Sequence, residues 1–283
     1  MTACNNSNYG FMSLSNLLKY AKGGLKALLM IIRQPKNLYY ITHQEQVYQN
    51  RVAKKYPQFI KGLPQIKLSD LTDQVSEKIQ PYSLLGGTSE PIDIALLKIL
   101  ARRFPKCSYF EIGTWRGESI VNLMDVTSNR YTLNLPPDDM KESNPDTYSA
   151  HNHYLEDIEG VTQLFGNSLH FDFSTLPEMD LIFIDGDHHQ EVVASDSRSV
   201  FNHLTHENSI IVWHDYASHY SSIWWEVLEG ILDGTPSKYH DHIYHVRNTN
   251  CAVYLPFEIT ANSDYNQWLP EESFEIHIKM TEL

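Results

Sequence analysis

The chain predicts an α/β fold, a mostly parallel sheet with its functional residues along one edge, and three observations carry that reading. Short apolar runs recur at Tyr109–Ile112, Tyr131–Leu135, Val161–Phe165, Asp180–Ile184 and Ser209–Trp213, each of a length that suits a buried strand. Segments of helical spacing separate several of them, the alternation expected when parallel strands are joined by crossover helices. Most runs end in polar or charged residues, which places the chemistry at the carboxyl ends of the strands.

The elements follow in order. Leu14, Leu17, Leu18, Ala21, Leu25, Leu28, Leu29 and Ile32 fall at helical spacing, with Lys19, Lys22, Lys26 and Arg33 mostly elsewhere around the helix, and Pro35 ends it. A second helix is expected from about His43 to Lys55, before Pro57. From Pro57 to about Gly87 the Pro- and Gly-containing stretch reads as a connection, broken by a short helix near Leu68 to Ile79. Helix Ile92–Arg103 leads into the first strand, and another runs from Gly117 to about Met124. The acidic segment Pro136–Gly160 is expected to contain a helix and to lie over the site. After the fifth strand come a helix, Ser222–Leu232, and a hairpin of Ile243–Val246 with Cys251–Leu255. The alternation Phe274–Ile278 predicts a further edge strand. These readings divide the chain into a helical extension and linker (1–87), an α/β domain (88–258) and a tail (259–283).

Composition bounds the function. The 283 residues are 42% hydrophobic, ample for a buried core. The net charge of −13 is unevenly spread, because residues 1–67 hold ten Lys/Arg and a single acid, Glu45, so the remainder is strongly acidic. An acidic main domain argues against a general nucleic-acid binder. Cys4, Cys107 and Cys251 are widely spaced and form no C-x-x-C pair, which disfavours a disulfide framework or cysteine zinc site and fits a reducing cytoplasm. No apolar run reaches the roughly 18 residues of a membrane span, and no signal-peptide pattern is seen at the N-terminus. The basic helix suggests either peripheral contact with an anionic membrane, or packing on the α/β domain or on a second copy in a homo-oligomer.

The most specific segment is Glu111-Ile-Gly113-Thr114-Trp115-Arg116-Gly117, a strand that stops at a tight turn and opens a helix. Glycine is needed there where the backbone takes positive φ or a ligand approaches closely. The E-x-G-x-x-x-G spacing lacks the third glycine of the dinucleotide fingerprint and resembles motif I of class I S-adenosylmethionine-dependent methyltransferases. Phe183-Ile-Asp-Gly-Asp-His188 and His214-Asp-Tyr216 are similar to the motifs that follow strands four and five in the branch containing sugar O-methyltransferases. The resemblance covers about residues 90 to 256. It implies a Rossmann-like seven-stranded sheet closed by an antiparallel C-terminal hairpin, and S-adenosylmethionine held by Glu111, Gly113, Thr114, Trp115, Arg116, Gly117, Asn134, Asn167, Ser168 and Asp185. Asn134 and Asn167 stand where that family often places acids toward the ribose hydroxyls and the adenine amine, and an amide loses the charge assistance of a carboxylate.

The same resemblance implies a magnesium ion or another divalent metal at Asp185, His214 and Asp215, orienting hydroxyls of a saccharide or similar polar small-molecule acceptor. His214 suits magnesium poorly and favours either a softer metal or a purely acid–base site. His188 is a candidate base for the acceptor proton, with Asp185 and His214 as further catalytic candidates. Tyr216, His219, Tyr220, Trp224 and Trp225 would wall the acceptor. Helix capping is the plain role open to Asp185 and Asp215. A nicotinamide-dependent oxidoreductase and a non-catalytic cofactor-binding protein are the competing functions.

Overall fold

The computed structural model describes residues 14–35, 45–73, 75–143, 145–218, 222–262 and 271–282. The chain separates into two compact units, residues 1–48 and 49–283. Helix α1 (Leu14–Arg33) follows the expected bounds, and its Leu25, Leu28, Leu29 and Ile32 are exposed. Helix α2 (Glu45–Lys55) also forms, whereas the expected helix over 68–79 shrinks to α3 (Leu68–Leu71). Its cause is local: Asp70 turns back to accept from the Lys67 amide at 2.8 Å, and Thr72 is already extended.

Eight strands form one sheet: β1 (Gln65–Ile66), β2 (Cys107–Ile112), β3 (Thr127–Asn134), β4 (Thr162–Phe165), β5 (Met179–Ile184), β6 (Thr205–Trp213), β9 (Ile243–Val246) and β10 (Ala252–Tyr254). Their order is β1-β9-β10-β6-β5-β2-β3-β4. Strands β2 to β6 are mutually parallel, and β10 runs antiparallel between β6 and β9. This is the expected Rossmann-like sheet, to whose seven strands β1 adds an eighth. Two short strands, β7 (Ala217–Ser218) and β8 (Ser222–Ile223), make a separate ribbon where a helix start was expected. The helix there, α8, spans Trp225–Gly234.

Burial on both faces explains the near-continuous apolar strands. Tyr109, Leu181, Phe183, Ile210 and Val212 pack with Ile94 and Leu97 of α4 (Pro91–Ala101) in one core cluster. Phe110, Ile182 and Ile211 are buried on the opposite face, where α7 (Gln190–His203) contacts β5 and β6. The other helices are α5 (Glu118–Asn122) and α6 (Pro137–Ser143).

The Phe274–Ile278 strand does not form: residues 271–282 have no regular structure. The β1 edge is met instead by Asn262, which exchanges backbone hydrogen bonds with Gln65 at 2.8 and 2.9 Å. Charged side chains tie down the segment beyond it, Glu271 to Lys67 and Arg247, and Glu272 to Asn248.

Candidate active site

Register sets the site. Ile112 pairs with Ile184 and Ile184 with Trp213, so the next residues along β2, β5 and β6, Gly113, Asp185 and His214, emerge side by side. The Asp185 amide donates to Ile112 O at 2.8 Å and the His214 amide to Ile184 O at 3.0 Å. Strand order reverses between β2 and β5, which makes this the switch point where open α/β sheets bind ligands. Two non-glycine residues at this edge take the left-handed conformation, Trp115 (φ 47°) and Asp215 (φ 57°), a strain that a fold keeps where it holds a site in place.

Gly113 (φ 87°) sits so close to β5 that a Cβ would lie 2.1 Å from the carbonyl oxygen of Asp185. Beneath it Glu111 is fully buried, and Tyr109 Oη donates to its Oε2 at 2.6 Å, while Oε1 has no partner. Burial pushes the Glu111 carboxyl up to about 8, against the pull of hydrogen bonds from Tyr109 and Ser119.

The other motif residues are engaged by neighbouring chain. Arg116 donates to Leu85 O at 3.2 Å and Gly86 O at 3.1 Å and pairs with Glu118 at 3.2 Å. Glu118 in turn accepts from the Ser83 amide at 2.7 Å. Asn134 accepts from the Thr114 amide at 2.9 Å and donates to Asn152 Oδ1 at 3.0 Å. An aspartate could make only the first of these bonds, which gives a physical reason for asparagine at this position. The segment containing Asn152 does lie against motif I, as expected: the Asn152 amide donates to Trp115 O at 2.7 Å, and His151 meets the Trp115 ring edge-on at 4.5 Å. Asn167 and Ser168 lie at the end of β4, and the exposed Asn167 accepts from the Leu169 amide at 2.9 Å.

The second half of the site is a carboxylate–imidazole cluster. His214 Nδ1 lies 3.0 Å from Asp185 Oδ1 and 3.2 Å from Asp215 Oδ1, and Nε2 lies 3.3 Å from Asp93 Oδ2. Only the Nε2 contact has hydrogen-bond alignment; Nδ1 is buried and has no aligned partner. Burial favours the neutral ring, but the charge of Asp185 and the contacts with Asp185, Asp215 and Asp93 outweigh it and raise the His214 pKa well above its ordinary value. Burial raises Asp185, with His214 opposing, whereas contact with His214 outweighs burial and lowers Asp215. Ligand atoms of Asp185, His214 and Asp215 all fall within 4.8 Å of one another, the only such metal-competent group among the described residues. A buried imidazole nitrogen without an aligned partner, facing two carboxylates, fits a divalent cation.

Asp185 joins two small pockets. One runs past Gly186, Asp187 and His188 to Asp215; the other lies between Gly87–Ser89 and Thr114–Glu118. His188 is exposed at the first pocket, its ring 4.6 Å from that of Trp224 and stacked on His189 at 5.1 Å. Of the expected aromatic wall, Trp224 lies beside His188. Tyr216 is a correction: it is buried, and its hydroxyl accepts from the Leu63 amide at 2.9 Å, so it braces the fold. Trp225 is buried within α8, and His219 and Tyr220 lie outside the described residues.

Sequence reasoning missed Asp93, Ser89 and Asn152. Ser89 Oγ donates to Asp185 Oδ2 at 3.0 Å from a segment with no strand-end pattern. Asp93 carried one usable signal, its place in the first turn of a helix beginning with proline, but that signal points to capping alone.

Residues 110–216 match the family model of a methyltransferase domain, a span that opens inside β2 and closes at Tyr216 and covers little more than a third of the chain. A methyltransferase domain thus occupies the sheet edge from Glu111 to Asp215. The match extends to the segment it covers and supports methyl transfer there. A comparison with curated proteins gives no match. Among solved structures, the chain is similar to SAH-bound methyltransferase PaMTH1 of Podospora anserina, at 13% identity over 78% of this chain and 93% of that one, with a TM-score of 0.42. It is also similar to cofactor-bound Rv0187 from MTB, at 18% identity over 61% and 83% of the two chains, with a TM-score of 0.40. SAM-bound CalS10, an amino pentose methyltransferase of Micromonospora echinaspora, shares 18% identity over 45% of this chain and 51% of its own, with a TM-score of 0.32. These likenesses are of overall architecture.

Proposed function

We propose that this methyltransferase is an O-methyltransferase acting on a hydroxyl of a saccharide or similar polar small molecule. The observation that carries the reading is the cluster of Asp185, His214 and Asp215 at the switch point, beside the motif I turn. S-adenosylmethionine supplies an electrophilic methyl group when bound. Glu111 would attract its ammonium, Gly113 to Gly117 would turn the backbone around it, and Asn134, Asn167 and Ser168 would serve its nucleoside end. Asp185, His214 and Asp215 would hold a divalent metal, which would polarise an acceptor hydroxyl. His188, exposed beside Trp224, takes the acceptor proton, and the Trp224 face supports the ring of the acceptor. Most of the catalytic effect is then positioning, because in-line displacement needs its reacting atoms aligned.

Calorimetry with S-adenosylhomocysteine and with NAD tests the cofactor, and turnover of a saccharide library tests the acceptor. Chelation should abolish activity and manganese or magnesium restore it. Asp185→Ala and Asp215→Ala should each lose most activity and the double variant little more, since ligands to one ion act as a unit. Full activity in chelator would leave His188 or His214 as an acid–base group without a metal.

A further inference from the structure

Asp93 has no place in the proposed ligand set, yet its position is hard to explain by capping alone. It lies in the first turn of α4, fully buried, and its two oxygens reach three different parts of the chain. Oδ1 accepts from the Asn250 amide at 2.8 Å, at the turn of the hairpin. Oδ2 accepts from the Glu90 amide at 2.9 Å and meets His214 Nε2 at 3.3 Å. The backbone bonds hold the carboxylate rigidly, and the carboxylate holds the ring.

The consequence follows from the two nitrogens of an imidazole being unlike once one is committed. Bonded to a carboxylate, Nε2 keeps its hydrogen, so Nδ1 is the nitrogen that can give up its proton to solvent and offer a lone pair to a cation. That nitrogen is the buried, unaligned atom turned toward Asp185 and Asp215. An oxygen-only site would suit magnesium, whereas a nitrogen among the donors shifts preference toward cations that accept imidazole.

We propose that Asp93 is a positioning residue that fixes His214 as an Nδ1 ligand, so that the cluster takes a divalent cation with affinity for imidazole, such as manganese or zinc, in preference to magnesium. The proposal rests on the metal reading given above. It adds which atom binds, what orients it and which ions the site prefers.

Metal titration of the full chain, with activity left out of the readout, tests it. Manganese and magnesium are titrated separately by calorimetry into the wild type and into Asp93→Asn, with a thermal melt of each. Manganese should bind the wild type more tightly than magnesium, and Asp93→Asn should lose about 10- to 100-fold in manganese affinity, the usual cost of removing an outer partner of a metal-bound histidine. Because Asp93→Asn also disturbs two backbone bonds, a second measurement uses the wild type alone. Nitrogen-15 spectra of the histidine-labelled protein, with His214 assigned from a His214→Gln sample, should show its Nε2 protonated and its Nδ1 signal displaced by zinc. Unchanged manganese affinity in folded Asp93→Asn, equal or tighter binding of magnesium, or zinc on Nε2 would overturn the proposal while leaving a metal site standing. No binding of any of the three ions to the wild type would overturn the metal reading itself and this inference with it.

Discussion

Replacing Gly113 by alanine tests whether the close approach of β2 and β5 builds the site. Two costs can be worked out separately. Gly113 has φ 87°, and holding an L-residue in the left-handed region costs about 1–2 kcal/mol. The added methyl would also lie 2.1 Å from Asp185 O and 2.6 Å from Gly186 Cα, atoms of the backbone that cannot swing aside as a side chain would. Carbon–oxygen contacts between strands normally sit near ~3.3–3.6 Å, so the β5 terminus must move by more than about 1 Å. Overpacking of this kind costs about 1–3 kcal/mol, giving a total of about 2–5 kcal/mol. Urea denaturation should show that loss, with the midpoint displaced and the slope unchanged. Since the displaced residue is Asp185, S-adenosylhomocysteine affinity should fall by at least about tenfold, equivalent to roughly 1.4 kcal/mol. Gly86→Ala is the control: nothing lies within 4 Å of its added methyl, and it should stay near wild type. Wild-type stability and affinity in Gly113→Ala would refute the argument that this contact sets the site.

Three further outcomes are expected. Asp196 is buried on α7, and burial pushes its carboxyl up to about 7 from 3.8. A raised acid pKa makes the folded state lose stability as pH climbs from about 4 to about 7, by on the order of 4 kcal/mol. Asp196→Asn should flatten that part of the stability–pH profile, and an unaltered profile would show that another group is responsible. Asn134→Asp keeps the bond from the Thr114 amide but cannot donate to Asn152. Hydrogen exchange should quicken at the Asn152 and Tyr154 amides, which donate to Trp115 O and Arg116 O, and unchanged protection there would break the proposed link. Finally, α1 exposes Leu25, Leu28, Leu29 and Ile32 beside Lys22, Lys26 and Arg33, so the intact chain should float with anionic vesicles at low salt, and a chain lacking residues 1–34 should not. Absence of flotation would favour a protein partner for that face.

The centre of the sheet was legible because β2, β5 and the second half of β6 are buried on both faces. Such strands appear as uninterrupted apolar runs, and the change from Ile184 to Asp185 or from Trp213 to His214 marks where burial ends. Residues at those ends were therefore found: Asp185, His214 and Asp215 do converge. Those that reach the site from elsewhere were not. Asp93 arrives from the first turn of a helix, Ser89 from an extended segment and Asn152 from a left-handed turn, and none lies at a strand end. The alternation of Phe274, Ile276 and Ile278 failed for a related reason. Period-two spacing reports only that a segment could lie on a sheet, and these side chains are exposed.

The chain from Gln80 to Ser89 is fastened to the motif I turn at several points. Asn122 Nδ2 donates to Pro81 O at 2.8 Å, Glu118 holds the Ser83 amide, Arg116 holds Leu85 O and Gly86 O, and Ser89 holds Asp185. This segment walls one side of the recess lined by Thr114 to Glu118 and Asp185. If a ligand enters that recess only after some of these bonds part, its association acquires an internal step that no excess of ligand accelerates. In a stopped-flow experiment the observed rate would level off as cofactor concentration rises, at a ceiling set by the strap. Arg116→Lys, which gives up the forked grip on two carbonyls, would lift that ceiling and shorten the residence time of the bound cofactor together.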